Sequence, residues 1–408
     1  MNCRHCNDEV TVSFVDLATA PPSNAYVSNV ELKRAEKYFP LRILVCTNCW
    51  LVQTEDYADA TDLFSSDYAY FSSFSTSWLE HSKRYASDMT ERLGLDQNSM
   101  VAEIAANDGY LLQYFQNAGI PCYGVEPAGS TAEAARKRGL EIVESFFGVE
   151  LAVELASQNR LVDLLVANNV LAHVPDINDF VRAFRILLKP GGVATFEFPH
   201  LMRLVDEKQF DTIYHEHYSY LSLIALLSVF KQCDMEIFDV EELSTHGGSL
   251  RLYCQSNDTG IHPISESVSA LASKEKQAGL TSEAYYSGFQ GRAEKVKNEF
   301  LGFLLDANKR GKKVIGYGAA AKGNTLLNFA GVKPDLIPFV VDQNPAKQGK
   351  FLPGSRIPIL DETWIEKEKP DYIVIFPWNL SNELKEQLKY VRAWDGQFVT
   401  AVPEMRID

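Results

Sequence analysis

Residues Tyr214-His215-Glu216-His217-Tyr218-Ser219-Tyr220 gather two of the chain's eight histidines, a carboxylate and three phenols into seven positions. Imidazole exchanges protons near pH 7, and an adjacent carboxylate or phenol can share the proton or orient the ring. That is the equipment of a general base. Taken alone, the heptad reads as readily as a surface turn with an aromatic face, so its surroundings decide.

Cys3-x-x-Cys6 and Cys46-x-x-Cys49 form two pairs with 39 residues between them. Two thiolates in a tight turn can grip one ion, and two such pairs complete the tetrahedral sulfur cage that zinc accepts. With all four positions filled by protein, the site is structural. The wide gap leaves room for short strands over 10–17 and 42–45, and so small a segment needs the metal to hold it. Cys122, Cys233 and Cys254 stand singly in apolar surroundings and read as core thiols.

Elements must position these groups. Residues 100–104 form an apolar strand ending in Ala105-Ala106-Asn107-Asp108-Gly109, followed by a helix over 110–118. A second strand over 123–127 carries Glu126, about twenty residues beyond the first turn, where an acid accepts both ribose hydroxyls of a nucleoside. A buried strand over 163–169, a turn at Leu188-Lys189-Pro190-Gly191-Gly192 and a strand over 193–198 continue the pattern. Glu103, the small turn, Glu126 and the Pro-Gly-Gly turn follow the order of a class I S-adenosylmethionine (SAM) methyltransferase, with a dinucleotide-binding domain as the structural rival. Upstream, the hydroxyls of Tyr70 and Ser73 precede a helix over 76–93 and either cap it or meet a ligand. Asn168, Asn169 and His173 fall at the sheet edge where a substrate would meet the methyl donor, although His173 also reads as a helix cap.

The strand ending near His200 leads through an insertion to the heptad, which would overhang the mouth of the site. Thr245-His246-Gly247-Gly248-Ser249 then turns into a strand over 250–253, its glycines either offering N–H groups to an anion or closing a hairpin. Residues 313–325 repeat the strand, glycine turn and helix start, with Lys322 facing a phosphate or another anion. Strands over 338–342 and 372–379 complete a Rossmann-like pattern, but Ala321 stands at the third glycine of G-x-G-x-x-G. A helical stretch over 282–310 links this half to the rest.

At 408 residues and 46% hydrophobic content, two or three domains with ordinary cores are expected. A net charge of −15 excludes nonspecific nucleic-acid binding. No apolar run approaches the roughly 20 residues of a membrane span, and the polar, cysteine-bearing start is no signal peptide. A soluble cytoplasmic protein is expected, in which cysteines serve as metal ligands and core thiols before disulfides.

Taken in order, the four cysteines, Glu103-x-x-x-Asn107-Asp108-Gly109, Tyr214-His215-Glu216-His217, His246-Gly247-Gly248-Ser249 and Gly316-Tyr317-Gly318-Ala319-Ala320-Ala321-Lys322-Gly323 span essentially the whole chain. The series resembles the SAM-dependent C-methyltransferases of nucleotide-linked ketosugars, such as the ketosugar C-3 methyltransferase of the tetronitrose pathway. The resemblance implies an α/β protein of three parts: a small zinc-binding domain (1–65), a class I methyltransferase doubly wound sheet (66–280) and a Rossmann-like domain (281–408) that helps bind the sugar nucleotide. It implies methyl transfer to a carbon α to the ketone of a dTDP- or GDP-linked 4-keto-6-deoxy sugar, at C-3, through a base-generated enolate.

The same resemblance assigns roles. His217 and Tyr214 are the two candidates for the base; with His217 as base, Glu216 is its orienter and Tyr214 an assistant or enolate donor. Tyr70, Ser73, Glu103, Asn107, Gly109, Glu126 and Asn168 hold SAM. Asn169, His173, His246 and Lys322 bind substrate, with His173 donating to the keto oxygen or a hydroxyl. Cys3, Cys6, Cys46 and Cys49 hold structural zinc. Neither nucleic acid nor membrane is a partner, and the chain is a monomer or small homo-oligomer. Ala105 departs from the family, which often has glycine there, and this puts the backbone contacts to the methyl donor in question. The rival activity is an NAD(P)-dependent sugar-nucleotide oxidoreductase built on the C-terminal half.

Overall fold

A computed structural model describes residues 1–57 and 71–408, arranged around three sheets. The first begins with β1 (Val12–Ala20), β2 (Phe39–Val45) and β3 (Val52–Thr54), an antiparallel meander. The two cysteine pairs close matching turns beside it. Asn7 N–H returns to the Cys3 carbonyl at 3.0 Å and Trp50 N–H to the Cys46 carbonyl at 2.9 Å. Asn7 and Trp50 both lie at positive φ, 63° and 61°.

The helix Thr76–Leu93 starts where Ser75 accepts the Trp78 N–H and stops at Gly94, φ 62°, an ordinary left-handed cap. It leads into β4 (Val101–Ile104), β5 (Cys122–Val125), β6 (Glu141–Val143), β7 (Val162–Asn168) and β8 (Leu188–Pro199). After β9 (Ser219–Tyr220) come β10 (Met235–Leu243) and β11 (Ser249–Ser256). The second sheet runs β10-β11-β8-β7-β4-β5-β6, with β11 antiparallel to both neighbours and β4 to β8 parallel. The chain enters at the centre, works outward to β6, then returns to β7 on the other side of β4. Ligands of doubly wound sheets lie outside the strand ends at such a switch point. This is the α/β sheet expected for a class I methyltransferase.

The expected turn at Leu188–Gly192 is instead part of β8. The register with β7 jumps between Val162↔Leu188 and Leu164↔Val193, so the extra residues form a bulge. Gly191 supplies the positive φ, 75°, that the bulge requires.

The insertion after β8 holds a short helix, Leu201–Asp206, a turn at Phe210–Thr212, and the heptad. Its last residues form β9, which pairs with β3 as Val52↔Tyr220 and Gln53↔Ser219, not with the second sheet. The heptad is thereby tied to the cysteine-bearing sheet, whose order is β1-β2-β3-β9.

Helices Glu283–Ser287 and Phe289–Lys309 lead to the third sheet. It comprises β12 (Val314–Tyr317), β13 (Val340–Val341), β14 (Ile359–Leu360), β15 (Tyr372–Ile375), β16 (Gln397–Thr400) and β17 (Arg406–Ile407). Its order is β14-β13-β12-β15-β16-β17, parallel except for β17. The first and third sheets share one apolar core, in which Phe14 of β1 stacks on Phe289 at 4.4 Å. Among the described residues, no helix is long and apolar enough to cross a membrane.

Candidate active site

At the switch point, β4 delivers Glu103 into a fully buried position where, among the described residues, neither carboxylate oxygen has a hydrogen bond of ordinary geometry and the Tyr110 hydroxyl lies close by. Burial pushes this carboxyl well above the usual range, with the Tyr110 hydroxyl opposing the shift. Asn168, at the end of β7, is also buried with an unpartnered Oδ1. Glu126, beyond β5, accepts N–H groups from Asn107 at 2.9 Å and Ala128 at 2.8 Å, and so holds the loop it follows. Asn107 in turn accepts the Ser72 N–H at 2.9 Å. Ser73 bonds Asp108, which Arg138 approaches at 3.3 Å. Buried acceptors seeking donors fit a nucleoside carrying an ammonium, a sulfonium and two ribose hydroxyls.

Ala105 takes φ 57°, the conformation glycine would supply, so the loop keeps a glycine-like turn with a methyl group on it. Gly109 cannot change in that way, because a Cβ there would meet Leu140 Cδ1 at 2.2 Å. Tyr70 lies outside the described residues.

The heptad turns instead of extending, with His217 N–H on the Tyr214 carbonyl at 2.9 Å, so its side chains diverge. His215 is buried against the first sheet, Nε2–H toward the Pro40 carbonyl at 3.1 Å. Glu216, the expected orienter of His217, bonds to the N-terminal loop. Its carboxylate accepts the Asn24 amide at 2.7 and 2.9 Å, because the turn swings it toward the N-terminal loop.

The Thr212 carbonyl, 2.8 Å from His217 Nδ1, does the orienting. A carbonyl only accepts, so Nδ1 carries the hydrogen and Nε2 the lone pair. Burial, then His173, hold the His217 imidazole well below its usual pKa, which leaves it neutral. The Tyr214 ring lies 4.0 Å from it and the His173 ring 4.6 Å.

His173 repeats the arrangement. Its Nδ1–H meets the Glu216 carbonyl at 2.8 Å, and burial lowers it to about 4. A neutral ring with its hydrogen on Nδ1 has none on Nε2. The expected donation from His173 to a keto oxygen would compete with this bond to the Glu216 carbonyl. The helix that follows is capped by Asp176, not His173.

Asn169 donates to His246 Nε2 at 3.2 Å, and burial lowers His246 to about 4. His246 sits at φ 53° with its ring 5.0 Å from Trp78. Beneath this loop Glu197 of β8 accepts Thr245 at 2.9 Å, Arg251 at 2.8 Å and His81 Nε2 at 2.8 Å.

Lys322 enters from the third sheet's side, in the first turn of the helix Ala321–Phe329. Its ammonium bonds Asn379 Oδ1 at 2.8 Å and lies 4.3 Å from the Trp378 ring centre. Trp378 Nε1–H donates to buried Asp211 at 2.7 Å, directly before Thr212, and Thr325 donates to the Ile213 carbonyl at 2.8 Å. Burial, opposed by Asp211, brings Lys322 down to about 8. His217, His173, His246, Asn169 and Lys322 thus converge, whereas Glu103, Asn107 and Glu126 form the crevice behind them.

The glycines that suggested a nicotinamide site have another occupant. A Cβ at Gly316 would meet Phe376 at 2.5 Å, one at Gly323 would meet Phe376 at 2.6 Å, and one at Gly318 would meet Pro377 at 2.6 Å. Asp342, the acid that ends the strand over 338–342, accepts the Ala319 N–H at 2.7 Å and the Asn344 N–H at 2.8 Å.

The four cysteine sulfurs lie within 4.8 Å of one another, with Cys3–Cys49 and Cys6–Cys46 each at 3.5 Å. A zinc–sulfur bond of about 2.3 Å implies tetrahedral edges of about 3.8 Å, so the cage fits zinc. Gln53 Nε2 donates to Cys3 Sγ at 3.2 Å, as suits a thiolate.

Thr212, Asn24, Asp211 and the Trp378-Asn379 pair were not foreseen. Thr212 acts through its carbonyl and leaves no sequence signal. Pro377 did offer one, because it stops β15 and exposes the next residues at a parallel strand's ligand-facing end.

Family models match three successive segments: "Putative zinc binding domain" over 3–64, "Methyltransferase domain" over 78–240 and "C-methyltransferase C-terminal domain" over 244–403. The C-methyltransferase NovU of Streptomyces niveus is 32% identical over 99% of this chain and 96% of its own. A ubiquinone biosynthesis O-methyltransferase of Bordetella avium is 34% identical over 26% of this chain and 45% of its own. Among solved structures, an S-adenosylmethionine-dependent methyltransferase from Clostridium acetobutylicum superposes with a TM-score of 0.36 at 13% identity, covering 44% of this chain and 92% of that one.

Proposed function

The chain belongs to the C-methyltransferase family as a SAM-dependent enzyme with a zinc-binding domain, and from that premise we propose that it methylates a carbon α to the ketone of a nucleotide-linked 4-keto-6-deoxy sugar, at C-3, in the cytoplasm. The observation that carries this reading is His217, whose hydrogen is pinned on the Thr212 carbonyl so that the Nε2 lone pair is left for a substrate proton.

Carbon is a poor nucleophile until it is deprotonated, and a ketone makes the neighbouring C–H acidic. His217 Nε2 takes that proton, the C–H pair becomes a C=C bond, and the carbonyl pair moves onto oxygen. Tyr214 packs the imidazole into place. His173 accepts a sugar hydroxyl on Nε2, and Asn169 and His246 line the same wall. Glu103, Asn107, Gly109, Glu126 and Asn168, with Tyr70 and Ser73, hold the cofactor. When bound, SAM supplies the methyl as an electrophile on a cationic sulfur that departs as a neutral thioether.

Residues 1–65 form the zinc-binding part on Cys3, Cys6, Cys46 and Cys49, 66–280 the methyltransferase part, and 281–408 the part that holds the dTDP or GDP group. The three sheets support this division, and the zinc-binding match over 3–64 agrees with its first boundary, whereas the C-terminal match begins earlier, at 244.

The test incubates enzyme, S-adenosylhomocysteine and a panel of dTDP- and GDP-linked 4-keto-6-deoxy sugars in deuterated water, following exchange by NMR. Wild type should exchange one α position, and His217→Asn should suppress that exchange by about two to four orders of magnitude. Exchange at the wild-type rate in the variant would remove His217 as the base. With labelled SAM, the label should appear on that same carbon.

A further inference from the structure

An enolate needs a donor for its oxygen as well as a base for its proton, and neither the base itself nor the histidine beside it serves as that donor. Both His217 and His173 spend their single N–H on main-chain carbonyls, of Thr212 and Glu216, each at 2.8 Å. His246 accepts from Asn169 on Nε2. Its hydrogen is then on Nδ1, so none of the three neutral rings offers a charged donor on the substrate side.

Lys322 is the exception. Among the described residues, Asn379 at 2.8 Å is its one hydrogen-bond partner, which leaves two of three N–H donors for another group. Its position is built, not a consequence of a flexible stem. The ammonium rests 4.3 Å from the Trp378 ring centre. Trp378 is fixed by its indole N–H on Asp211 at 2.7 Å and by Gly247, where even a Cβ would meet the ring at 2.5 Å. Asp211 precedes Thr212, the residue that orients His217. One turn along the helix, Thr325 holds the Ile213 carbonyl at 2.8 Å.

One cluster thus fixes both the base's lone pair and the ammonium. Asp211 is near enough to favour the charged form of Lys322, while its hydrogen bond is taken from Trp378.

We propose that Lys322 is a catalytic residue that donates a hydrogen bond to the enolate oxygen as His217 removes the α-proton. This rests on the ketosugar reading above and changes Lys322 from a binder of the nucleotide's phosphates to a participant in carbon–hydrogen cleavage. The balance closes within the site. The proton ends on His217 Nε2 and the electron pair on the oxygen beside Lys322, which keeps all its protons. The pair returns to the carbonyl when carbon forms its new bond. An imidazolium forming next to an ammonium would be repelled, but the enolate oxygen between them carries the compensating charge.

The discriminating experiment pairs two readouts on zinc-loaded, full-length enzyme with S-adenosylhomocysteine. The first is α-proton exchange at saturating ketosugar nucleotide, and the second is calorimetric affinity for the bare nucleoside diphosphate. Lys322→Gln should lose about 10²–10³-fold in exchange, the size of a missing oxyanion donor, with nucleoside diphosphate affinity held within about threefold. Lys322→Arg should recover part of the exchange, since it returns the charge and donors in a different shape.

Titration adds an independent mark. The titratable groups bearing on Lys322 are Asp211, His217 and His246, and its pKa of about 8 should end wild-type exchange above that pH but not exchange by Lys322→Arg. This arm also covers a Lys322→Gln protein that fails to fold.

Weakened diphosphate binding with exchange intact would make Lys322 a phosphate ligand and overturn the proposal. Loss of exchange in Tyr214→Phe but not in Lys322→Gln would hand the role to the phenol. A wild type that exchanges no ketosugar nucleotide would sink the parent reading and this inference together, whereas the two preceding outcomes touch this one alone.

Discussion

Glu103 poses the sharpest question at the scale of one residue, because it is a fully buried acid that, among the described residues, makes no hydrogen bond of ordinary geometry and has the Tyr110 hydroxyl close by. Burial raises its pKa well above the ordinary value, so without a ligand it tends to keep its proton. A cationic donor bound beside it favours the ionised form. SAM binding should therefore release a proton, and affinity should rise with pH through the range where the free protein's Glu103 is still protonated. Calorimetry in two buffers of different ionisation heat measures that proton. Glu103→Gln should abolish its release and weaken binding by about 1.5–3 kcal/mol, the worth of a hydrogen bond to a charged group. Binding of SAM by the wild type with no proton released would show that Glu103 does not face the charge. Ala105, two positions on, bears on the same loop, and its φ of 57° shows that the turn tolerates a methyl where glycine was the natural expectation.

Elements carry the loops that hold these residues, and the His246 loop rests on a buried ionic network between β8, β11 and the helix Thr76–Leu93. Burial pushes Glu197 upward, yet His81 and Arg251 overcome it and hold the carboxyl at about 2. Because this pKa is depressed, the stability it contributes is complete above the normal carboxylate range and is lost as pH falls toward 2. Glu197→Gln leaves Arg251 without its buried partner and should cost about 3–5 kcal/mol at pH 7. The melting temperatures of variant and wild type should converge as pH falls toward 2. A constant difference across pH would point to packing instead of charge.

None of this network was legible in the sequence. Glu197 reads as one polar residue within an apolar strand, and its partners lie 116 and 54 positions away. The strands themselves were legible because apolar runs bounded by Gly, Pro and Asn mark them locally. The Pro-Gly-Gly stretch misled because glycines that permit a turn equally permit a bulge. The heptad's chemistry was visible as composition, but its division of labour depended on which way each side chain leaves a turn. Spacing does not encode that direction.

For the whole molecule, the cysteine cage and His217, the proposed base, are coupled through the fold. Between Cys3 and Cys6, His5 contacts Asn178 Oδ1 at 2.8 Å and Ser228 Oγ at 2.9 Å, both on helices of the second sheet. Arg4 holds the Pro175 carbonyl at 2.9 Å, two residues beyond His173, and lies 5.0 Å from the Tyr218 ring centre. From Cys49 the chain runs directly into β3, whose Thr54 N–H bonds the Tyr218 carbonyl at 3.0 Å and whose hydroxyl bonds the His217 carbonyl at 2.5 Å. Both catalytic-site histidines are thus held by the sheet that the metal staples. The Glu103–Gly109 loop lies at the other side of the switch point and takes its contacts from β5 and the 72–73 segment. Stripping zinc with a chelator, or replacing Cys46 by Ser, should therefore separate the two activities. Exchange of the substrate α-proton should fall by tenfold or more, about the loss seen when a metal site's supporting residues are removed, while affinity for S-adenosylhomocysteine changes little. Metal content by mass spectrometry and readdition of zinc complete the measurement. If both activities vanished together at the same zinc occupancy, the cage would be holding up the entire fold and the coupling argued from Arg4, His5 and Thr54 would be wrong.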